Sequence, residues 1–273
     1  LCPVNGVFGL LAKLAPLHYG VDRQEWNHCP PHIGRTTRVT CAPLVPLKTM
    51  ESASPCHMCG RCSGFRNAIE LSARVPGAEV IETSQRTATV WDSLLILCGL
   101  MGVAVGAFHW ASSPWLVSGK QWAAARLVRS GHLWPLEQDL PWWLLTNYPG
   151  RNDVLTLLDG ALMLSYIAAT PVVMSLAAGL PLLLAARLTG ASWDWQRFHH
   201  LVHGLLPFAA CGVVLGLSAQ TVSLLRAEGI PMFRVNDARA LALMFTAAWS
   251  IHLFWKIAGC YRSGARRVLA SAL

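Results

Sequence analysis

Four long stretches of apolar residues constrain the fold of this chain more than any other feature. They cover about residues 92–111, 158–186, 200–225 and 238–259, and they contain few charged residues. A bilayer core about 30 Å thick needs about 20 such residues in a helix, which satisfies its own backbone hydrogen bonds. Charged residues are only 13% of the 273, against about 25% in an ordinary soluble domain. The sequence therefore predicts four transmembrane helices rather than four core helices of a soluble protein.

The distribution of Lys and Arg predicts the orientation of these helices. Arg187 and Arg197 lie near the loop between the second and third stretches, and the tail beyond the fourth is also basic. Cytoplasmic loops of membrane proteins carry an excess of these residues. We therefore expect the cysteine-rich segment at residues 1–89 and the C-terminus on the cytoplasmic side of a bacterial inner membrane.

The segment between the first two stretches, residues 112–157, has the composition of a membrane interface. Its five tryptophans are Trp115, Trp122, Trp134, Trp142 and Trp143. Tryptophan is enriched where a membrane protein meets the lipid headgroups, because its ring is apolar and its N–H needs a partner. The sequence predicts a short helix lying on the outer surface of the membrane.

Residues 1–89, which precede the apolar stretches, hold six of the nine cysteines. Cys56, Cys59 and Cys62 form a C-x2-C-x2-C run, which in bacterial ferredoxins continues x3-C-P and binds an iron–sulfur cluster. The position of the fourth cysteine is Arg66. Disulfides are not expected on the cytoplasmic side, where thiols are kept reduced. The run therefore predicts a cluster or metal site whose fourth ligand comes from elsewhere.

Cys41, with Pro43 close behind it, is the expected fourth ligand. In ferredoxins with two clusters, each run gives three cysteines to one cluster and its fourth to the other. The ligands of the partner cluster would then fall at four positions that hold no cysteine: Pro31, Gly34, Thr37 and Arg66. The sequence thus predicts one [4Fe–4S] cluster, with Cys29 as an alternative fourth ligand. A zinc ion on the same four thiolates and an empty, degenerate site are the alternatives.

Histidines in the third and fourth apolar stretches raise the question of a second cofactor. With the orientation above, His203 and His252 are expected at similar depth. Two imidazoles facing each other in a helix bundle can bind a b-type haem between them. The alternative is that both side chains form hydrogen bonds to the backbone or to each other.

The N-terminal third also carries a family resemblance. The stretch LCPVNGVFGLLAKLAPLHYGVDRQEW at residues 1–26, together with CHMCGRCSGF at residues 56–65, resembles the membrane-bound polyferredoxin-like proteins of the NapH, NosR and CcoG type. The resemblance covers residues 1 to about 80. It implies an electron carrier or accessory factor of a respiratory reductase, typically with two [4Fe–4S] clusters, whereas this chain keeps ligands for one. It also implies that the chain is the C-terminal part of a longer protein.

Together these features predict a mainly α integral membrane protein. A small ferredoxin-like segment at residues 1–89 precedes a four-helix transmembrane bundle at residues 90–273. We expect an electron-transfer subunit rather than a free-standing enzyme, surrounded by lipid and relaying electrons between quinol and a respiratory redox partner. The alternative is a non-enzymatic assembly or redox-sensing factor with a structural cluster or zinc. Nucleic acid is not an expected partner, because the basic residues behind the net charge of +8 form no patch.

Overall fold

A computed structural model describes residues 5–28, 39–41, 43–148, 153–190 and 192–261. Within these ranges, four helices are long and apolar enough to cross a membrane: Val90–His109, Leu157–Leu188, Leu206–Ala227 and Val235–Tyr261. Only 11% of the most apolar part of the second and third is buried inside the protein. Apolar surface of this extent is covered by lipid in membrane proteins. By length and composition, the prediction of a helical, multi-pass membrane protein is confirmed.

The third span begins later than expected. The helix α10, Trp195–His203, ends before α11, Leu206–Ala227, begins. Pro207 has no backbone N–H with which to continue a helix from α10, so it suits the first turn of a new helix. Most of α10 is buried within the protein. The predicted span at residues 200–225 therefore joined two separate helices.

The first span is wound unusually. It consists of α5, Val90–Leu94, a π-helical stretch, Leu95–Ala104, and α6, Val105–His109. Thr89 and Asp92 form a capping box at its start, with N···O distances of 3.1 and 3.2 Å. Further along, Gly102 lies against the long helix α9, Leu157–Leu188, with so little space that a Cβ atom would lie 2.5 Å from the Cα of Pro171. Small residues allow such close helix contacts in membranes.

The segment between the first two spans contains the predicted helix, α7, Pro114–Arg129, followed by the short helix α8, Trp134–Glu137. A two-residue strand pair, β3 at Asn147–Tyr148 and β4 at Asp153–Val154, precedes α9. All five tryptophans of this segment are largely exposed, and Trp115 is 83% exposed. Exposed tryptophans on a helix next to a membrane span suit contact with lipid headgroups.

The N-terminal segment is a set of short elements around a two-stranded antiparallel sheet. Its elements are α1, Asn5–Ala12; β1, Leu17–Val21; α2, Arg23–His28; a 3-10 turn, Leu47–Thr49; β2, Ile69–Ala73; α3, Ala78–Glu82; and α4, Ser84–Thr87. The strand register runs from Leu17 opposite Ala73 to Val21 opposite Ile69. Two strands do not establish a ferredoxin-like fold, so that part of the prediction stays a prediction.

The chain divides into two compact units. One comprises the residues up to Ile96, Leu180–Cys211 and the chain from Asp237, and the other comprises Leu97–Gly179 and Gly212–Asn236. In the first unit α10 packs on α4 and α5, and Gln196 Nε2 donates to the carbonyl of Ala88 at 2.9 Å. The N-terminal segment therefore packs together with α5 and α10 of the helical region that follows it.

Candidate functional site

A buried ion pair between Arg74 and Glu79 anchors the cysteine-containing part of the first unit. The Glu79 side chain is 1% exposed and that of Arg74 is 11% exposed. Arg74 also donates to the carbonyls of Ala12 and Ala15 at 2.9 Å each, so it joins the end of β2 to the end of α1. Burying an ion pair costs desolvation free energy. Hydrogen bonds to its remaining donors and acceptors offset that cost, and they are present here.

The same carboxylate fixes the start of the cysteine loop, the name used here for residues 52–67. Glu79 accepts hydrogen bonds from the Ala53 N–H, at 3.0 Å, and from the Ser52 hydroxyl. The carbonyl of Ala53 in turn accepts the N–H of Cys56 at 3.0 Å. Cys56 is therefore positioned by a buried charge from a helix that follows it in the chain.

The backbone of the cysteine loop turns through the left-handed region several times. Gly60 and Gly64 have φ of 74° and 72°, which glycine adopts readily, whereas Met58 adopts 53° with a side chain. The Met58 N–H donates to Sγ of Cys56 at 3.3 Å. The Gly64 N–H, by contrast, donates to the carbonyl of Ile69 at 2.8 Å rather than to a cysteine sulfur.

Cys41, Cys56, Cys59 and Cys62 line one largely enclosed pocket. The rest of its lining is mostly apolar: Tyr19, Pro43, Val45, Leu47, Met50, His57 and Gly60. Its volume is about 20 Å³, whereas pockets for organic ligands hold about 300 Å³ or more. The structure thus brings the four predicted ligands together around a space that, at this volume, holds about one water molecule.

The electrostatics of this pocket disfavour free thiolates. Burial raises the pKa of the Cys62 thiol, and negative charge on Cys56, Cys59 and Cys41 raises it further. Thiolates are the form that binds metal, and a bound cationic centre offsets both effects. The four side chains are therefore a donor set that a cationic inorganic group would stabilise.

The four thiols are not arranged as a preformed metal site in this structure. Within the described ranges, no group of three or more His, Cys, Asp or Glu side chains has the arrangement to hold a metal ion. Tetrahedral zinc with Zn–S bonds of about 2.3 Å needs sulfur atoms about 3.8 Å apart. In a [4Fe–4S] cluster each thiolate binds a different iron atom, so the sulfur atoms stand further from one another.

Arg66, at the position of the missing cysteine, has a partner of its own. Its guanidinium carbon lies 5.3 Å from the centre of the Trp26 ring, and Trp26 also contacts Phe65 with 5.5 Å between ring centres. A guanidinium over an aromatic face is a stabilising contact. Of the other positions expected for a second cluster, Pro31, Gly34 and Thr37 lie outside the described residues, as do Cys2 and Cys29.

The two histidines proposed as haem ligands have different surroundings. His203 is fully buried, its Nδ1–H donates to the carbonyl of His199 at 2.8 Å, and its Nε2 lies 3.0 Å from Lys13 Nζ. His252 is exposed on α12, Val235–Tyr261. Both ring nitrogens of His203 therefore have protein partners, and the haem assignment stays a prediction that gains no support from this geometry.

Several residues that position the site were not anticipated from the sequence. Tyr19 lines the cysteine pocket, Arg74 and Glu79 anchor the loop, and Lys13 contacts the buried His203. A lone lysine within the apolar stretch around α1 was the one available signal. No protein-family model, curated protein or solved structure matches the chain.

Proposed function

We propose that this chain is an integral membrane electron-transfer protein that binds one [4Fe–4S] cluster through Cys41, Cys56, Cys59 and Cys62. The observation that carries the proposal is the enclosed pocket lined by all four thiols, in a chain with four membrane-length apolar helices. Three of the cysteines form the ligand run of bacterial ferredoxins. The resemblance to polyferredoxin-like membrane proteins is part of the same proposal.

The chain's own residues would hold and tune such a cluster. The apolar lining from Pro43 to Met50 limits water around the sulfur atoms, and the Met58 N–H bond withdraws electron density from Sγ of Cys56. When bound, the cluster supplies a one-electron donor and acceptor. Hydrogen bonds to sulfur favour its more negative, reduced state, so we expect the Met58 bond to raise the reduction potential.

The location and partners belong to the proposal as well. The excess of Lys and Arg supports a cytoplasmic position for the cysteine loop in a bacterial inner membrane. The partners we propose are quinol in the membrane and a respiratory redox subunit. We propose an electron-transfer subunit rather than a free-standing enzyme.

One observation favours a second candidate, a redox-sensing or assembly factor of a respiratory complex. Arg66 contacts Trp26 at the position where a second cluster would need its cysteine. A relay over a long distance uses several centres in sequence, whereas a sensor or a structural site needs one. A protein whose cluster forms but exchanges no electrons with quinol analogues would favour this candidate.

The proposal is tested by metal and sulfide analysis of the full chain purified in detergent without oxygen. We expect about four iron and four sulfide per chain, with absorbance near 400 nm that bleaches with dithionite. Cys41→Ser should lose most of the iron. Cys260→Ser is the matched control, because Cys260 is an exposed cysteine whose thiol contacts the carbonyl of Lys256. A colourless protein with one zinc per chain would contradict the proposal, and full iron in Cys41→Ser would remove Cys41 from the ligand set.

A further inference from the structure

A second cavity lies beside the cysteine pocket, between α1 and the cysteine loop. Its volume is about 420 Å³, within the range of about 300–1,000 Å³ for small-molecule sites. From α1 it is lined by one helical face, Asn5, Phe8, Gly9 and Ala12. The spacing of three, four and seven residues puts these four side chains on the same side of the helix.

The two cavities share a wall. Cys56 and His57 line both the cysteine pocket and this second cavity. The helix and the loop are also in close contact, since a Cβ atom on Gly9 would lie 2.8 Å from the carbonyl oxygen of Ser54. A molecule bound in the second cavity would therefore lie against Cys56, which is one of the four thiols of the cysteine pocket.

The lining of the second cavity is mostly apolar, with a few polar side chains. Among the described residues that line it there is no Lys, Arg, Asp or Glu, so a neutral ligand suits this lining better than a charged one. His57 Nε2 donates to Asn5 Oδ1 at 3.1 Å, which leaves the Asn5 amide N–H groups for a ligand oxygen. The ring of Phe8 is 66% exposed and offers a flat apolar surface at the cavity.

We propose that this cavity binds the headgroup of a quinone or quinol, a neutral, planar, redox-active ring with an oxygen on either side. The Asn5 amide N–H would donate to one oxygen, His57 would hold that amide in place through its bond to Asn5 Oδ1, and Phe8 would cover the ring. Long apolar tails on such molecules keep them in the bilayer, which the four apolar helices of this chain are suited to cross. The proposal rests on the proposed function for its role in electron transfer, but binding itself is a separate property of these residues.

Binding is measured on the full chain in lipid nanodiscs by titration with 2-heptyl-4-hydroxyquinoline N-oxide, a fluorescent quinol analogue, and by its displacement with a naphthoquinone. Ala12→Phe places a ring in the cavity, and His57→Leu removes the hydrogen bond that orients the Asn5 amide. We expect each variant to weaken binding about tenfold or more, the loss of about 1.4 kcal/mol of binding free energy. Val7→Phe adds the same ring on another face of α1 and should bind like the unmodified chain.

The outcomes separate this proposal from the one it builds on. Equal binding by the unmodified chain, Ala12→Phe and His57→Leu, or no binding by any of them, would overturn the quinone site even in a protein with a full cluster. If a protein without iron binds the analogue and Ala12→Phe abolishes that binding, the quinone site is supported and the cluster is overturned. Iron and sulfide contents are measured on every variant, because His57 follows Cys56 directly in the chain.

Discussion

Lys13 Nζ lies 3.0 Å from Nε2 of His203, although 190 positions separate the two residues in the chain. Both are buried, at 3% and 0% exposure, and Oδ2 of Asp92 lies 3.8 Å from Lys13 Nζ and 3.5 Å from His203 Nε2. Because the Nδ1–H of His203 donates to a carbonyl, the neutral ring presents its Nε2 lone pair to the ammonium group. Burial lowers the pKa of Lys13, and the nearby carboxylate of Asp92 opposes that shift.

Lys13→Met should therefore destabilise the protein. The change removes the ammonium group that the buried His203 and the carboxylate of Asp92 share. We expect the free energy of unfolding to fall by about 2 kcal/mol. The matched control is Lys120→Met, because Lys120 pairs with Asp159 at 2.5 Å but its side chain is 54% exposed. An exposed pair contributes about 1 kcal/mol or less. Thermal unfolding in detergent measures both, and equal losses would show that the buried contact contributes no more than the exposed one.

Because His200 is buried, we expect the folding stability of the protein to decrease at acid pH. Its Nε2–H donates to the carbonyl of Val80 and its Nδ1 accepts the Tyr261 hydroxyl, each at 2.8 Å. Burial lowers the pKa of His200 from 6.5 to about 4. Between these values the unfolded chain binds a proton that the folded chain does not, so stability is present above pH 6.5 and is lost as pH falls toward 4. The loss is on the order of 2–3 kcal/mol.

Melting curves between pH 7.5 and 4.5 test this expectation. The unmodified chain should melt at progressively lower temperature below pH 6.5, and His200→Gln, which can keep both hydrogen bonds, should show a weaker dependence. His132→Gln alters an exposed histidine and should leave the pH profile unchanged. Parallel profiles for all three chains would assign the acid sensitivity to other groups.

In protein without a bound cluster, the cysteine pocket should give its thiols different rates of alkylation. Cys59 is exposed, whereas Cys62 is buried and its pKa is raised. Because the thiolate is the reactive form, iodoacetamide at pH 8 should modify Cys59 faster than Cys62 by roughly an order of magnitude. Mass spectrometry of digested, cluster-free protein gives both rates. The difference should vanish in denaturing detergent, and equal rates in the folded protein would contradict the pocket.

The close approach at Gly102 should make this position intolerant of a single methyl group. In Gly102→Ala the new Cβ meets the Cα of Pro171 at 2.5 Å, and neither backbone can move without separating the helices. We expect a loss of about 2 kcal/mol or more. Gly179→Ala is the control, because its Cβ would lie 4.0 Å from a Leu97 side-chain atom, an ordinary contact. Alanine there should be neutral or slightly stabilising, and similar melting points for both variants would contradict the observed packing.

The parts of the fold that depend on local composition were predictable. About 20 consecutive apolar residues require a membrane helix, so the spans were located to within a few residues, except where Gly204 and Pro207 separate α10 from α11. The cysteine run indicated which side chains share a site because ligand spacing is a local pattern. The contact between Lys13 and His203, and the bond from Glu79 to Ala53, depend on tertiary packing that no local pattern encodes.

The bond from Glu79 to Ala53 also bears on how the cysteine run can be used. The run at residues 54–65 forms some turn hydrogen bonds of its own, but its first cysteine also depends on residues outside it. Ala53, whose carbonyl binds the Cys56 N–H, is held by a carboxylate 26 positions further along, and that carboxylate is paired with an arginine that reaches back to α1. A synthetic peptide of the run, or the run grafted into another protein, would carry three thiols without the anchor that Glu79 and Arg74 supply. The position of Cys56 is therefore a property of the folded unit, and the run alone does not determine it.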